Sequence, residues 1–264
     1  MQKSTFPTHS IRPMNFNNKT IIITGGANGI GAACADAFYE AGANVCVLDL
    51  SNENNQKNNP RWLYQNVDVS KSVDVEKAIK VVYEKFGDIH FLVNNAGIQR
   101  YGSVVDTSEE EWDQVMNINL KSYFLCSKYV IPFMKKNSDG AIINLSSVQA
   151  FVTQENVAAY AASKTAILGL TRSIAIDFAP HIRCIAVCPG TIDTPMLQSA
   201  IALSPNPHEV MKECEDMHLL HRIGQPEEVA SLVKFLCSDE AAFITGESIR
   251  MDGGLGIKIQ GSKK

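Results

Sequence analysis

The stretch "TGGANGIG", Thr24–Gly31, joins a run of β-branched residues to a helical pattern, and its reading decides the fold. Before it, "KTIIITGG" has the make-up of a buried strand; after it, "IGAACADAFYEAGA" is a helix closed by Gly42. A structural turn alone needs one or two glycines. Here Gly25 lets the chain turn sharply, Gly29 lets the backbone approach a pyrophosphate, and Gly31 lets the helix pack closely on the strand. The helix start adds free N–H groups and a partial positive charge for the phosphates. Three glycines so placed predict a dinucleotide site.

The next strand, "NVCVLDL", ends near Asp49, 24 residues after Gly25. A carboxylate there can accept hydrogen bonds from both hydroxyls of an adenosine ribose. It would repel a 2′-phosphate, and no arginine stands at Asn28 to compensate, so NAD is expected rather than NADP. The plainer alternative is a strand-end Asp that caps the following turn. Asp68, in "NVDV", is a further candidate, for the adenine amino group.

Outward from this turn the chain alternates short β-rich runs with longer helical ones, the signature of βαβ units and a parallel sheet. "SNENNQKNNP" reads as a loop, so the second crossover is expected to be abbreviated before the strand "WLYQNVDV". "SVDVEKAIKVVYEKFG" is an amphipathic helix with Ser72 as its expected cap. "HFLVNNAG" is the fourth strand, and "SEEEWDQVMNINLKSYFLCSKYVIPFMKK" reads as one long helix. "GAIINLSS" and "IRCIAVCPG" are strands on either side of a helix from Tyr160 to Phe178. "PEEVASLVKFLCS", with Pro226 in its first turn, and the strand "ESIRMDGG" complete the pattern. The expectation is an α/β fold: a single Rossmann-type, doubly wound domain at residues 17–264, with a seven-stranded parallel sheet flanked by helices. Residues 1–16 read as a polar tail. Any ligand should lie along the carboxyl edge of the sheet.

The bulk numbers suit this. Of 264 residues, 45% are hydrophobic and 20% charged, enough for a sizeable core. A net charge of -4 argues against nucleic acid or a membrane surface as partner. No apolar run reaches the length of a membrane span, and "MQKSTFPTHSIRPMNF" has no apolar core of a secretory signal. Seven cysteines, an odd number in apolar settings, suggest buried thiols and a cytoplasmic location. Cys184 and Cys188 sit in a strand at a separation of roughly 13 Å, too far apart to share a metal.

"AYAASKTAILGL" places Tyr160 and Lys164 one helical turn apart on one face. Such a pair occurs in many helices, so its meaning depends on its company. "NNAG" (Asn94–Gly97) ends the fourth strand, Ser146 and Ser147 the fifth, and "CPGTIDTP" follows the sixth. With "TGGANGIG", "NNAG", Ser147, "YAASK" and "PGTIDT" in this order, the chain resembles the short-chain dehydrogenase/reductase family from Lys19 to Gly254.

The resemblance implies that Tyr160 is the general acid/base, Lys164 the lysine that tunes it and holds the nicotinamide ribose, Ser147 the catalytic serine, and Asn119 the asparagine of a proton relay. Ser146 would face away. A free tyrosine, with a pKa of about 10, is a poor base near neutrality; a nearby ammonium and a cationic nicotinamide would favour its phenolate. Asn119 in mid-helix costs roughly 0.5 to 0.7 kcal/mol against alanine, which a bonded water would justify. In the implied cofactor site, Asn28 and Ile30 belong to the glycine turn, and Val69 accompanies Asp68. Asn95, Ala96 and Gly97 would line the adenosine ribose and its phosphate. Pro189 and Gly190 would pack near the nicotinamide ring, with the Ile192 backbone and the Thr194 hydroxyl at the carboxamide. A homotetramer built through the helices of Trp112 and Tyr160 is also implied.

For the substrate, Gln99, Arg100, Gln149 and Gln154 lie near the expected reaction centre. Amides and a cation suit hydroxyl-rich or carboxylated ligands better than an acyl tail. Residues 195–221 stand where the family keeps a substrate lid and carry His208, His218 and His221. "SSVQA", "RCIAVCPGTIDTP", "HRIGQPEEVAS", "FITG" and "DGGL" are similar to the D-aldohexose (mannose or glucose) 1-dehydrogenases of the family. Gln99 replaces an acidic residue of that subgroup, which leaves the sugar open and admits an acidic one. The expected activity is therefore NAD-dependent oxidation of a small-molecule sugar, at C1 of an aldohexose, to an aldonolactone. The rivals are an NAD(P)H-dependent reductase of 3-oxoacyl or keto/hydroxy-acid substrates and a non-catalytic NAD-binding regulator.

Overall fold

The computed structural model describes residues 14–51, 59–136 and 140–257. Seven parallel strands form one sheet: β1 (Thr20–Thr24), β2 (Asn44–Asp49), β3 (Trp62–Asn66), β4 (Phe91–Asn94), β5 (Gly140–Leu145), β6 (Ile182–Pro189) and β7 (Ser248–Met251). Their spatial order is β3-β2-β1-β4-β5-β6-β7. The order reverses direction between β1 and β4, so the crevice of the doubly wound fold opens between the glycine turn and the "NNAG" segment.

Strand alternation sends neighbouring residues to opposite faces, and both faces are covered. On one, Ile21, Ile23, Val45 and Val47 join Phe38 of α1 (Gly29–Glu40) and Val233 and Leu236 of α8 (Pro226–Cys237). On the other, Ile22, Cys46, Leu48 and Leu92 meet Ile79 and Val82 of α2 (Ser72–Phe86), Val130 of α4 (Ser122–Met134) and Ile174 of α5 (Ala158–Phe178). The α/β fold and its seven-stranded parallel sheet are thus as expected. No helix among the described residues is long and apolar enough to cross a membrane.

Three local expectations change, and one segment without assigned elements gains two helices. Phe16, placed in the tail, is buried and stacks edge-on against Phe38 and Phe91, with ring centroids 4.9 and 5.7 Å away; residues 1–13 of that tail lie outside the described residues. Ser72 is the first residue of α2, not its cap. Lys71 holds the cap position without a side-chain bond, and the Ser72 hydroxyl pairs with Tyr129 Oη at 2.7 Å. The long helix is split: α3 (Glu109–Met116), capped by Ser108, passes through a π-helical turn at Asn117–Lys121 into α4. Between β6 and α8 the chain forms α6 (Pro195–Ile201) and α7 (Pro207–Met217), each opened by a proline whose missing N–H costs nothing in the first turn. Most of the asparagine-rich loop, residues 52–58, lies outside the described residues.

Candidate active site

Two adjoining cavities run along the carboxyl edge of the sheet. The first, of about 340 Å³, is lined by Gly25, Asn28, Gly29 and Ile30 of the glycine turn, by Asp49, Asp68 and Val69, and by Asn95, Ala96 and Gly97. At its far end are Tyr160, Lys164, Pro189 and Thr194. The expected dinucleotide set therefore converges on one trough, apart from Gly190 and Ile192, which line the second cavity.

The turn is shaped by close approach. Gly25 has φ +63°, and a Cβ there would lie 2.8 Å from Ala96 Cα; a Cβ on Gly31 would lie 2.2 Å from the Gly25 carbonyl oxygen. Thr24, a residue the motif reading passed over, locks the two strand ends together. Its Oγ1 accepts from the backbone N–H groups of Asn95 and Ala96, both at 3.0 Å. Asn95 returns the bond, its Nδ2 donating to the Thr24 and Gly25 carbonyls at 3.0 and 2.8 Å. This leaves a bare backbone cradle at the helix start, which fits a pyrophosphate.

Asp49 caps the turns beside it and also faces the trough. Its carboxylate accepts from Ala27 N and Ser51 N, both at 2.9 Å, and it also lines the trough. Asp68 accepts from Ser70 N at 3.1 Å and from Ser70 Oγ at 2.6 Å, with the Lys71 ammonium 3.2 Å away. Burial pulls its pKa upward, but those partners outweigh burial and hold the carboxyl below its usual range.

Ser147, Tyr160 and Lys164 meet where the cavities join. Lys164 is 4% exposed, and burial lowers its ammonium to about 8. Nζ donates to the Leu145 carbonyl at 2.8 Å and lies 5.6 Å from the Tyr160 ring centroid. Tyr123 shares the same carbonyl through its hydroxyl at 2.9 Å. Burial pushes the Tyr160 phenol up, and its hydrogen bond with Ser147 only partly offsets this. Ser147 Oγ accepts from Gln149 N at 3.1 Å. Ser146 Oγ is spent on the Lys164 carbonyl at 2.7 Å, although the residue lines both cavities.

Asn119 sits in the π turn, fully buried, and lines neither cavity. Its Oδ1 accepts from Ile98 N at 2.8 Å, while Nδ2 donates to the Ile98 carbonyl at 2.9 Å and to Ser163 Oγ at 3.2 Å. Ser163 Oγ in turn donates to the Tyr160 carbonyl at 2.8 Å. The side chain is thus committed to the segment after "NNAG" and to the helix of Tyr160.

The second cavity, of about 440 Å³, is lined by Gln99, Gln149 and Gln154, beside Ser147 and Tyr160. Arg100 is absent from its wall; the exposed guanidinium folds back onto the Gln99 carbonyl at 3.1 Å. None of the three histidines lines it either. His208 and His221 are exposed, and His218 is buried beneath the wall. No Asp, Glu, Lys, Arg or His is among the described residues that line this cavity. α6 and α7 add apolar side chains to this wall, Met196 and Leu197 from α6 and Val210 and Met217 from α7, and Leu255 joins them. Val210, Cys214 and Met217 recur at helical spacing, a signal in the sequence that the histidines overshadowed.

With this geometry in place, the chain can be set beside known proteins. The family model described as enoyl-(acyl carrier protein) reductase matches residues 25–256. An uncharacterized oxidoreductase of Thermotoga maritima is 41% identical over 91% of this chain and 98% of its own length. The 3-oxoacyl-[acyl-carrier-protein] reductase of the same organism is 38% identical over 92% of this chain and 100% of its own. The ligand-free aldohexose dehydrogenase of Thermoplasma acidophilum superposes with a TM-score of 0.89 at 40% identity, covering 94% of this chain and 98% of that one. The fold and site define a nicotinamide-dependent oxidoreductase acting on CH–OH groups. The chain belongs to the short-chain dehydrogenase/reductase family.

Proposed function

We propose that this chain is an NAD-dependent sugar dehydrogenase that oxidises C1 of a neutral aldohexose to the aldonolactone. The observation that carries this reading is the second cavity: three amides beside Ser147 and Tyr160, and no charged side chain among its described lining residues. Amides donate and accept, as sugar hydroxyls require. A carboxylate would find no counter-charge there, and burying it unpaired would be costly. This disfavours hydroxy acids and uronates. Similarity to the Thermoplasma aldohexose dehydrogenase supports the same substrate class.

The bound dinucleotide supplies the hydride acceptor. Tyr160, as phenolate, takes the proton of the C1 hydroxyl. Ser147, its oxygen oriented by the Gln149 N–H, bonds the same substrate oxygen and steadies its developing charge. Lys164, charged in this state, stabilises the phenolate beside it. Asp49 favours NAD, since a 2′-phosphate would meet its carboxylate in the trough. Asn119 supports the site through Ile98 and the helix of Tyr160. The family pattern also supports a homotetramer with residues 195–221 as the substrate lid of a single domain, and the seven cysteines in apolar settings support a cytoplasmic location.

A second reading, a ketone reductase of acyl-type substrates, draws on the apolar faces of α6 and α7 and on the similarity to the 3-oxoacyl reductase. The deciding assay follows NAD and NADP reduction by absorbance with aldohexoses, pentoses, uronates and 3-hydroxy acids, and the reverse reaction with ketones. Turnover of a neutral aldohexose with NAD is expected. Activity on ketones alone, with every sugar silent, would establish the second reading instead. Tyr160→Phe is expected to abolish turnover and leave cofactor affinity within about twofold; an active variant refutes the proton-transfer role.

A further inference from the structure

His218 belongs to none of the steps above, yet it is 2% exposed and both ring nitrogens are engaged. Nε2 lies 3.2 Å from the Thr191 backbone nitrogen, a donor, so Nε2 must be the unprotonated acceptor. Nδ1 lies 2.7 Å from the Cys214 carbonyl, an acceptor, and must carry the proton. The two partners come from different elements. Thr191 follows β6, in the loop that carries Gly190 and Ile192; Cys214 is in the last turns of α7. Both line the second cavity.

The ring occupies a socket made for it. A Cβ on Gly190 would stand 2.8 Å from Nε2, and one on Gly253 3.2 Å from Cδ2. Neighbouring backbone bonds fix the socket: Gly190 N to the Met251 carbonyl at 3.0 Å, and Leu219 N to the Gly253 carbonyl at 2.9 Å. A hydrophobic core residue would fill this volume, but it would leave the Thr191 N–H without the acceptor that the ring provides.

We propose that His218 is a positioning residue, a strut that ties the α7 wall of the substrate cavity to the loop after β6. Substrate wall and nicotinamide loop are thereby set in register through one imidazole. This rests on the reading that the nicotinamide end of the cofactor lies beside that loop; it does not depend on the substrate's being a sugar.

Three variants separate the two bonds. His218→Gln offers an oxygen in place of Nε2 and keeps the Thr191 bond. His218→Asn offers an amide N–H in place of Nδ1 and keeps the Cys214 bond. His218→Phe fills the socket and keeps neither. Backbone hydrogen exchange is measured at residues 190–194 and 207–217, with and without NADH (or NADPH, whichever binds the wild type). In the cofactor-free protein, exchange at 190–194 should rise roughly tenfold in the Asn variant and stay near wild type in the Gln variant, the size of one lost hydrogen bond. At 207–217 the ranking should reverse.

With whichever alcohol turns over, the Asn variant should raise the KM for cofactor and the Gln variant the KM for alcohol, with kcat nearly unchanged. Equal behaviour of the Gln and Asn variants overturns the proposal, as does wild-type exchange in the Phe variant. If the Phe variant fails to fold, the Gln–Asn pair decides. Cofactor that protects neither segment in the wild type, while the free-protein ranking holds, would reject the placement of the nicotinamide and keep the strut.

Discussion

Lys164 is an amine enclosed by protein, and its environment works against its charge. Burial brings it from an ordinary 10.5 to about 8. Below pH 8 the amine is charged in folded and unfolded chains alike, and the folded state bears the full burial cost, roughly 3 kcal/mol for that difference. Between 8 and 10.5 the unfolded chain still holds a proton that the folded one has released, so this cost fades and stability rises with pH. Lys164→Met should therefore raise Tm by a few degrees at pH 7, with the gain shrinking toward pH 10.5, while turnover is lost. The Leu145 carbonyl keeps its bond from Tyr123, so the substitution leaves no orphan acceptor there. Calorimetry across this pH range checks it; a variant less stable than wild type at pH 7 would show that the ammonium is better solvated than its burial implies. The residue types at this centre were legible in the sequence through the order of motifs around them, from "TGGANGIG" to "PGTIDT"; the helical spacing of Tyr160 and Lys164 alone would not have singled them out. The partner that takes up the Ser146 hydroxyl, the bridging Thr24 and the outward Arg100 were not. Each depends on which backbone group lies across a strand end, and no local pattern encodes that.

At the scale of elements, the π turn at Asn117–Lys121 is the departure with the clearest cause. It presents Asn119 to Ile98, 21 residues earlier in the chain, and a helix widened by one residue is a recurrent device at functional sites. Asn119→Ala would strip the Ile98 N–H and carbonyl of their side-chain partners and should cost about 2 kcal/mol, read as a lower urea midpoint. An unchanged midpoint would mean that water replaces the amide without loss. The sequence shows an apolar helical pattern on both sides of this turn, and the extra residue changes neither the composition nor the cap at Ser108. The strands, in contrast, were readable in order, since a parallel sheet buried on both faces demands continuous runs such as "TIIIT" and "AIINL". Helices α6 and α7 carry ordinary proline starts, but which of their faces closes a cavity is a tertiary matter.

At the scale of the molecule, large apolar side chains remain on the surface of the long helices: Trp112 of α3 is 39% exposed, Phe124 of α4 49% and Ile176 of α5 80%. Covering them by copies of the same chain is the proposal that follows from the family pattern. Light scattering on the eluting protein should give four times the chain mass of 28.9 kDa. A mass of one chain would reject the tetramer, and Phe124→Glu should lower the mass if that helix is in the contact.

Asp49 has a consequence for the evolution and redesign of cofactor choice. The carboxylate that faces the trough also holds Ala27 N of the glycine turn and Ser51 N beyond β2. A mutation that removes the negative charge to admit a phosphorylated cofactor also releases at least one of these anchors, and one that removes the whole carboxylate releases both. On the proposed NAD reading, exchange of one currency molecule for the other is therefore not a single step in this scaffold. It needs a compensating hold on the turn first, and lineages or engineers that reverse this order should pass through a loosened intermediate. Asp49→Asn, which loses the charge and keeps one acceptor oxygen, is the gentlest crossing the architecture leaves open.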